Sequence, residues 1–171
     1  MGIFKIKIDE FSWICGVEDD PDDLCLHGHV TVQIGKNKLQ GDGTISATGL
    51  YLLKTLKENK IMNENSIQMV PYCGHFMIAN DDLSEVEIIG CDTGLDWSVI
   101  HENGKIKIIL KTGEEESLDF SEYKTEVFKF CDEVYNYYKS SKPKNIPKDE
   151  FDRKGYIAFW NEWHRRREEK Y

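Results

Sequence analysis

The stretch Leu24 to Ile34 constrains this chain more than any other. Leu24, Leu26, Val30, Val32 and Ile34 fall on one side of a two-residue repeat, with Gly28 among them. Cys25, His27, His29, Thr31 and Gln33 fall on the other. Alternation over this length is the pattern of a β-strand with one buried face. Such a strand needs pairing partners and a layer to cover its apolar side, so it commits the chain to a sheet with something packed on it. The opposite face sets a thiol and two imidazoles in a row, at steps of about 7 Å.

The remaining segments fit that architecture. Phe4, Ile6 and Ile8 alternate with Lys5, Lys7 and Asp9, and Phe11, Trp13 and Cys15 continue on a new phase, which predicts a bulge near Asp9-Glu10. Gly35 to Lys38 and Gly41 to Gly43 have turn composition. Ser46 to Asn59 has a helical pattern, with Ser46 or Thr48 as cap and Leu52, Leu53 and Leu56 as a narrow apolar stripe. Ile67 to Ala79 suggests a strand interrupted at Pro71, and Glu85 to Gly90 a short strand. Trp97 to Phe120 predicts a three-stranded meander. Its first turn is Asn103-Gly104, the strongest short hairpin signal, and its second is Thr112-Gly113.

Two helices complete the chain. Ser121 is the expected cap of one that runs to about Lys139, with Tyr123, Val127, Phe130, Cys131, Val134 and Tyr138 at helical spacing. Residues 140–147 carry two prolines and form an extended linker. Residues 148–168 follow as a last helix, clustering Phe151, Tyr156, Phe159, Trp160 and Trp163 and ending in Arg165, Arg166 and Arg167. No repeat or composition break divides residues 1–171. The expectation is a single α+β domain, an antiparallel sheet with about three helices packed on it.

Charge narrows the partners. The net charge is −9, and residues 1–100 hold 7 Lys+Arg against 16 Asp+Glu while residues 101–171 hold 15 of each. That imbalance argues against nucleic acid or an anionic membrane as the main ligand. It suits a basic protein partner, or solubility alone. No apolar run approaches the roughly 20 residues of a membrane span, and the first residues lack a signal-peptide pattern. Five cysteines is an odd count for a closed disulfide framework. The expected setting is cytoplasmic, with reduced thiols.

Four constellations are candidates for chemistry. His27 and His29 on the central strand, with Cys73 and His75 on another, supply the donor types that hold zinc, provided the two strands are neighbours. The chain lacks the Cys-x2–4-Cys knuckle on which structural zinc sites are usually built. Cys73 or Cys91, activated by a histidine, would make a nucleophile, though no local signature marks one. Glu18, Asp19, Asp20, Asp22 and Asp23 surround Pro21, and residues 9–23 contain no Lys or Arg. Their spacing departs from the EF-hand pattern, so this loop is expected to be an exposed docking surface for a basic partner, or else a solvated turn. Trp160 is a candidate partner contact beside the C-terminal arginines, since Trp and Arg are enriched at binding hot spots. Phe159 and Trp163 are assigned to the core.

Phosphate-cradling glycine loops, Ser–His–Asp signatures and metal-hydrolase helices are all missing from the sequence. The leading expectation is therefore a non-enzymatic binding module. The alternative is a small zinc metalloprotein or metal-dependent hydrolase using the Cys/His rows.

Four stretches stand out as a set: Cys25-Leu26-His27-Gly28-His29, Tyr72-Cys73-Gly74-His75, Gly90-Cys91-Asp92-Thr93-Gly94-Leu95-Asp96-Trp97, and Phe151-Asp152-Arg153-Lys154-Gly155-Tyr156 through Phe159-Trp160-Asn161-Glu162-Trp163-His164-Arg165. The chain resembles a group of small bacterial proteins that carry these stretches in this order over nearly their full length. In size, acidity and single-domain build it is also similar to immunity proteins, which bind and neutralise a toxin. That second likeness implies a basic toxin as partner. It carries no motif and assigns no residue roles.

Overall fold

The computed structural model describes residues 2–15, 18–63 and 66–171. Strands β1 (Phe4–Trp13), β2 (Leu26–Ile34) and β3 (Asn37–Thr44) form an antiparallel sheet in that order. The alternation of β2 is realised: Leu26, Gly28, Val30, Val32 and Ile34 are buried and the residues between them are half-exposed. The expected bulge is present too. Ile8 pairs with Val30 and Glu10 with His29, so Asp9 is left out of the ladder. Its carboxylate instead accepts hydrogen bonds from Lys7 at 2.7 Å and Thr31 at 2.6 Å.

One expected turn is strand. Gly41, Asp42 and Gly43 lie inside β3, and the chain turns only at Gly35-Lys36. These glycines are there for close approach. A Cβ on Gly43 would sit 2.7 Å from Val70 and 2.9 Å from the Pro71 carbonyl oxygen.

Helix α1 (Ile45–Lys54) follows β3 directly and is buried along most of its length. It ends earlier than the pattern suggested, and Thr44 occupies its cap position without a side-chain bond, where Ser46 or Thr48 was expected. A chain of short strands comes next: β4 (Val70–Pro71), β5 (Phe76–Ala79), β6 (Val86–Ile89) and β7 (Gly94–Leu95). β5 pairs with β6 and β4 with β7. The predicted meander is β8 (Trp97–Glu102), β9 (Lys105–Leu110) and β10 (Glu115–Asp119). Asn103 and Gly104 both take positive φ, 52° and 78°, as a two-residue hairpin of this twist requires. The fold is thus α+β, and among the described residues there are three helices, while the strands form two three-stranded and two two-stranded sheets rather than one continuous sheet.

Helix α2 (Phe120–Ser140) has Asp119 rather than Ser121 at its cap position, without a side-chain bond, and buries Tyr123, Val127, Phe130, Cys131 and Val134. It joins the two meanders: the Phe4 ring of β1 lies 6.2 Å from Trp97 of β8 and 5.1 Å from Tyr123. Helix α3 (Glu150–Glu168) starts where the Asp149 carboxylate accepts the amide hydrogens of Phe151 and Asp152. Ala158, Phe159 and Trp163 are buried. Gly155 is buried too, where a Cβ would lie 2.4 Å from the Met77 carbonyl oxygen. Glu162 has no exposed surface. Its carboxylate takes hydrogen bonds from Arg166 at 2.7 Å and the Val86 amide at 2.8 Å, with Lys54 3.2 Å away, so one carboxylate ties α3 to α1 and β6. No described helix is long and apolar enough to cross a membrane.

Candidate functional site

The four stretches singled out in the sequence meet around the segment from Pro71 to Met77. The β4–β7 pairing sets Pro71 opposite Gly94, and the Tyr72 amide donates to the Thr93 carbonyl at 2.9 Å. Gly74 rests on α1, where a Cβ would lie 3.1 Å from the Ala47 methyl. Gly90 lets the returning strand cross the segment, since a Cβ there would lie 2.4 Å from the Cys73 carbonyl oxygen. On the β2 side, the His27 Nε2 lies 3.3 Å from the Thr44 hydroxyl, which in turn reaches the Tyr72 carbonyl at 3.5 Å. On the α3 side, His75 shares a cavity with Asp152 and Tyr156.

The crossing at Gly90 brings two thiols together. The Cys91 amide donates to the Cys73 Sγ at 3.1 Å, and the Cys91 Sγ lies 3.1 Å from the Thr93 hydroxyl. Hydrogen bonding from Cys73, then from Thr93, stabilises the Cys91 thiolate and lowers its pKa to about 7. The same thiol contact pushes Cys73 up. Cys25 has the opposite fate. It precedes β2, is buried, and its amide is held by the Asp23 carboxylate at 3.1 Å. Burial raises its thiol to about 12. Cys25 therefore does not continue the wet row of His27 and His29.

The proposed zinc ligands are not gathered to a point. Among the described residues no three His, Cys, Asp or Glu side chains are placed to hold a metal ion. His29 Nδ1 lies 2.7 Å from the carboxylate of Asp42, its cross-strand partner. His27 is engaged by Thr44, and Cys73 by Cys91. His75 faces a cavity of about 760 Å³ between the acid loop, the 145–148 linker and the start of α3. Part of its ring meets solvent, but the cavity walls remove water from the rest. That desolvation lowers its pKa, outweighing the pull of Asp23 and Asp152 in the other direction. Cys73 and His75 lie in the loop between β4 and β5 rather than on a strand, and β2 is paired with β1 and β3, so among the described residues the neighbouring strand that a shared site required is not there.

The acid loop is not an open acidic surface. Asp23 is buried, where its carboxylate accepts the amides of Cys15 at 3.0 Å and Cys25 at 3.1 Å. This corrects the expectation that the whole loop is exposed. Asp19 is paired with Lys144 at 2.6 Å, and Lys144 also reaches the Asp20 carbonyl at 2.9 Å. The Asn145 side chain donates to the Asp22 carboxylate at 2.8 Å. Glu18, Asp20 and Asp22 keep exposed surface. The neutralising cation comes from 125 residues further along the chain, which is why the local sequence contained none. Lys144 sits 3.3 Å over the Trp13 ring, so the linker closes down on the N-terminal sheet.

Trp160 is half-buried among Tyr135, Tyr138, Tyr156 and Phe159. Its neighbours on the last helix behave as assigned, except that Phe151 turns outward. The Phe151 ring lies 5.2 Å from that of Phe76 on β5. Phe76 is 55% exposed, Phe151 and Ile89 43% each, and Ile78 37%. Phe76 and Ile89 are cross-strand partners, as are Ile78 and Glu87. These side chains make a contiguous apolar patch with acidic Glu87 and Asp152 at its edge. The sequence held a signal for it: β5 and β6 are apolar at almost every position, more than a hairpin covered on one face by α3 requires.

Compared with known proteins, the chain is matched by no family model, and no curated protein or solved structure is similar to it.

Proposed function

We propose that this chain is a non-enzymatic protein-binding module of the immunity type, whose partner is a basic protein such as a toxin. The observation that carries this reading is the exposed patch of Phe76, Ile78, Ile89 and Phe151. Contiguous exposed apolar surface with a polar edge marks interaction sites, because leaving it in water costs free energy that a partner recovers. Aromatic side chains at its centre are the residue types that dominate binding energy. Glu87 and Asp152 beside it, and the net charge of −9, favour a cationic partner and speed its encounter. The exposed carboxylates of Glu18, Asp20 and Asp22 add to that field without forming the contact surface.

Affinity capture with the purified chain, followed by mass spectrometry, tests the proposal. The native chain is expected to retain one basic protein, and a Phe76→Asp, Ile89→Asp variant with native circular dichroism to lose it. A variant with Glu18, Asp20 and Asp22 replaced by Asn or Ser should retain it but associate more slowly at low salt. Equal capture by the patch variant and the native chain would overturn the assignment.

A further inference from the structure

We propose that Cys73 and Cys91 form a redox-active dithiol that exchanges with disulfides, with Cys91 as the attacking thiol and Cys73 as the resolving one. The proposal rests on the thiol geometry and stands apart from the partner-binding reading. Both side chains belong to loops that flank the β5–β6 hairpin, and the Gly90 crossing holds the two loops against one another. The Cys91 amide already points at the Cys73 sulfur, and Thr93 offers a hydroxyl to the Cys91 sulfur. Cys73 is exposed and Cys91 half-exposed, so a substrate reaches them without any opening of the core.

The other three cysteines supply the contrast. Cys25 and Cys131 are buried, and burial raises both thiols. Cys15 is exposed, but hydrogen bonding and charge from Asp23 raise its thiol. Only at Cys91 does the environment favour the thiolate, bringing its pKa to about 7. Thiolate character and access together decide which cysteines react.

The Cys91 thiolate attacks one sulfur of a disulfide, the substrate S–S bond breaks, and the departing thiolate takes the electron pair and a proton from solvent. Cys73 loses its proton and attacks the Cys91 sulfur of the mixed disulfide. The Cys73–Cys91 bond forms and the second substrate thiolate leaves, to be protonated in turn. Two cysteines are oxidised by two electrons and the substrate disulfide is reduced to two thiols. The site is open and Tyr72 beside it is 59% exposed, so disulfides of small thiols and of peptides can both approach.

Oxidised glutathione and a disulfide-bearing peptide are the two probes. With either in excess, alkylation and peptide mapping should find Cys73 linked to Cys91, while Cys15 remains free or is modified later. Faster reaction with the peptide assigns the substrate to protein disulfides; faster reaction with glutathione assigns it to the small-thiol pool. Cys73→Ser should trap a mixed disulfide on Cys91. At neutral pH its rate should exceed that of Cys91→Ser by roughly fivefold, the larger thiolate fraction being partly offset by the weaker nucleophilicity of an acidic thiol. Should either serine variant unfold, the order of alkylation in the native chain decides: Cys91 before Cys15 supports the site. Cys15 reacting first, or no Cys73–Cys91 linkage under excess oxidised glutathione, overturns it.

Discussion

Replacing Glu162 with Gln removes one charge from the most enclosed ionic contact in the molecule while keeping its shape. The native carboxylate spends one oxygen on Arg166 and Lys54 and the other on the Val86 amide. A glutamine turned either way points its NH₂ at one of these donors. The Arg166 side chain is only 5% exposed and that of Lys54 24%. Breaking one partner of a buried ion pair costs about 3–5 kcal/mol, because a buried charge is left uncompensated. The lower end applies here. Arg166 keeps Glu58 at 2.6 Å, and Lys54 keeps the Val86 carbonyl at 2.9 Å. A loss of about 3 kcal/mol lowers Tm by roughly 6–12 °C in a chain of this size. Thermal unfolding followed by circular dichroism at pH 7 measures it. A Lys54→Met, Glu162→Gln double variant should be less destabilised than the sum of its singles. A Tm drop under about 2 °C, or strict additivity, would refute the idea that this carboxylate binds α1, α3 and β6 into one unit.

Lys144→Met should loosen the linker clamp and cost about 2 kcal/mol, since it removes a charged hydrogen bond and a cation–π contact from a side chain that is 5% exposed. Burial pushes the Asp19 carboxyl up, but Lys144 and the Lys142 amide outweigh this and hold it below the usual range. Its contribution is therefore complete above about pH 4 and lost as the pH falls through the lowered folded value. Urea midpoints taken from pH 6 downward should fall more steeply for the native chain than for Lys144→Met; parallel curves would show that Asp19 is not held this way. Gly155→Ala should cost upwards of about 2 kcal/mol by overpacking, because the added methyl meets the Met77 carbonyl at 2.4 Å. Its amide hydrogen exchange should quicken on β5 before β9, and uniform exchange would contradict local separation of α3.

What the sequence made legible was whatever one segment settles by itself. The two-residue repeat of β2, the phase change at Asp9, the Asn103-Gly104 turn and the apolar stripe of α2 depend on local sterics and on a single buried face. The glycines of β3 have the composition of a turn, but their reason is the approach of Val70 and Pro71, some 27 residues away in the chain. The site failed in the same manner. His27 lies on β2 but Cys73 lies in the loop after β4 and not on a neighbouring strand, and the sequence could not show that Thr44 occupies one and Cys91 the other. The acid loop seemed unneutralised because its cation, Lys144, is distant in sequence. Phe151 fitted the helical stripe and still turned outward, because it lies at the first turn of α3, beside the exposed ring of Phe76 rather than over the core.

The docking of α3 also bears on how the chain is made. Trp163 lies so close to Gly49 that a methyl group there would sit 2.3 Å from its ring, and Gly155 meets Met77 equally tightly. The apolar faces of α1 and β5 therefore have no cover while residues 155–163 are still unsynthesised. A nascent chain can pair β1 with β2 and close the Asn103-Gly104 hairpin early, yet it displays uncovered core until α3 emerges. Cooperative folding is thereby deferred until residues 155–163 are available, and a product terminated before them carries that uncovered core as a mark for chaperones and proteases.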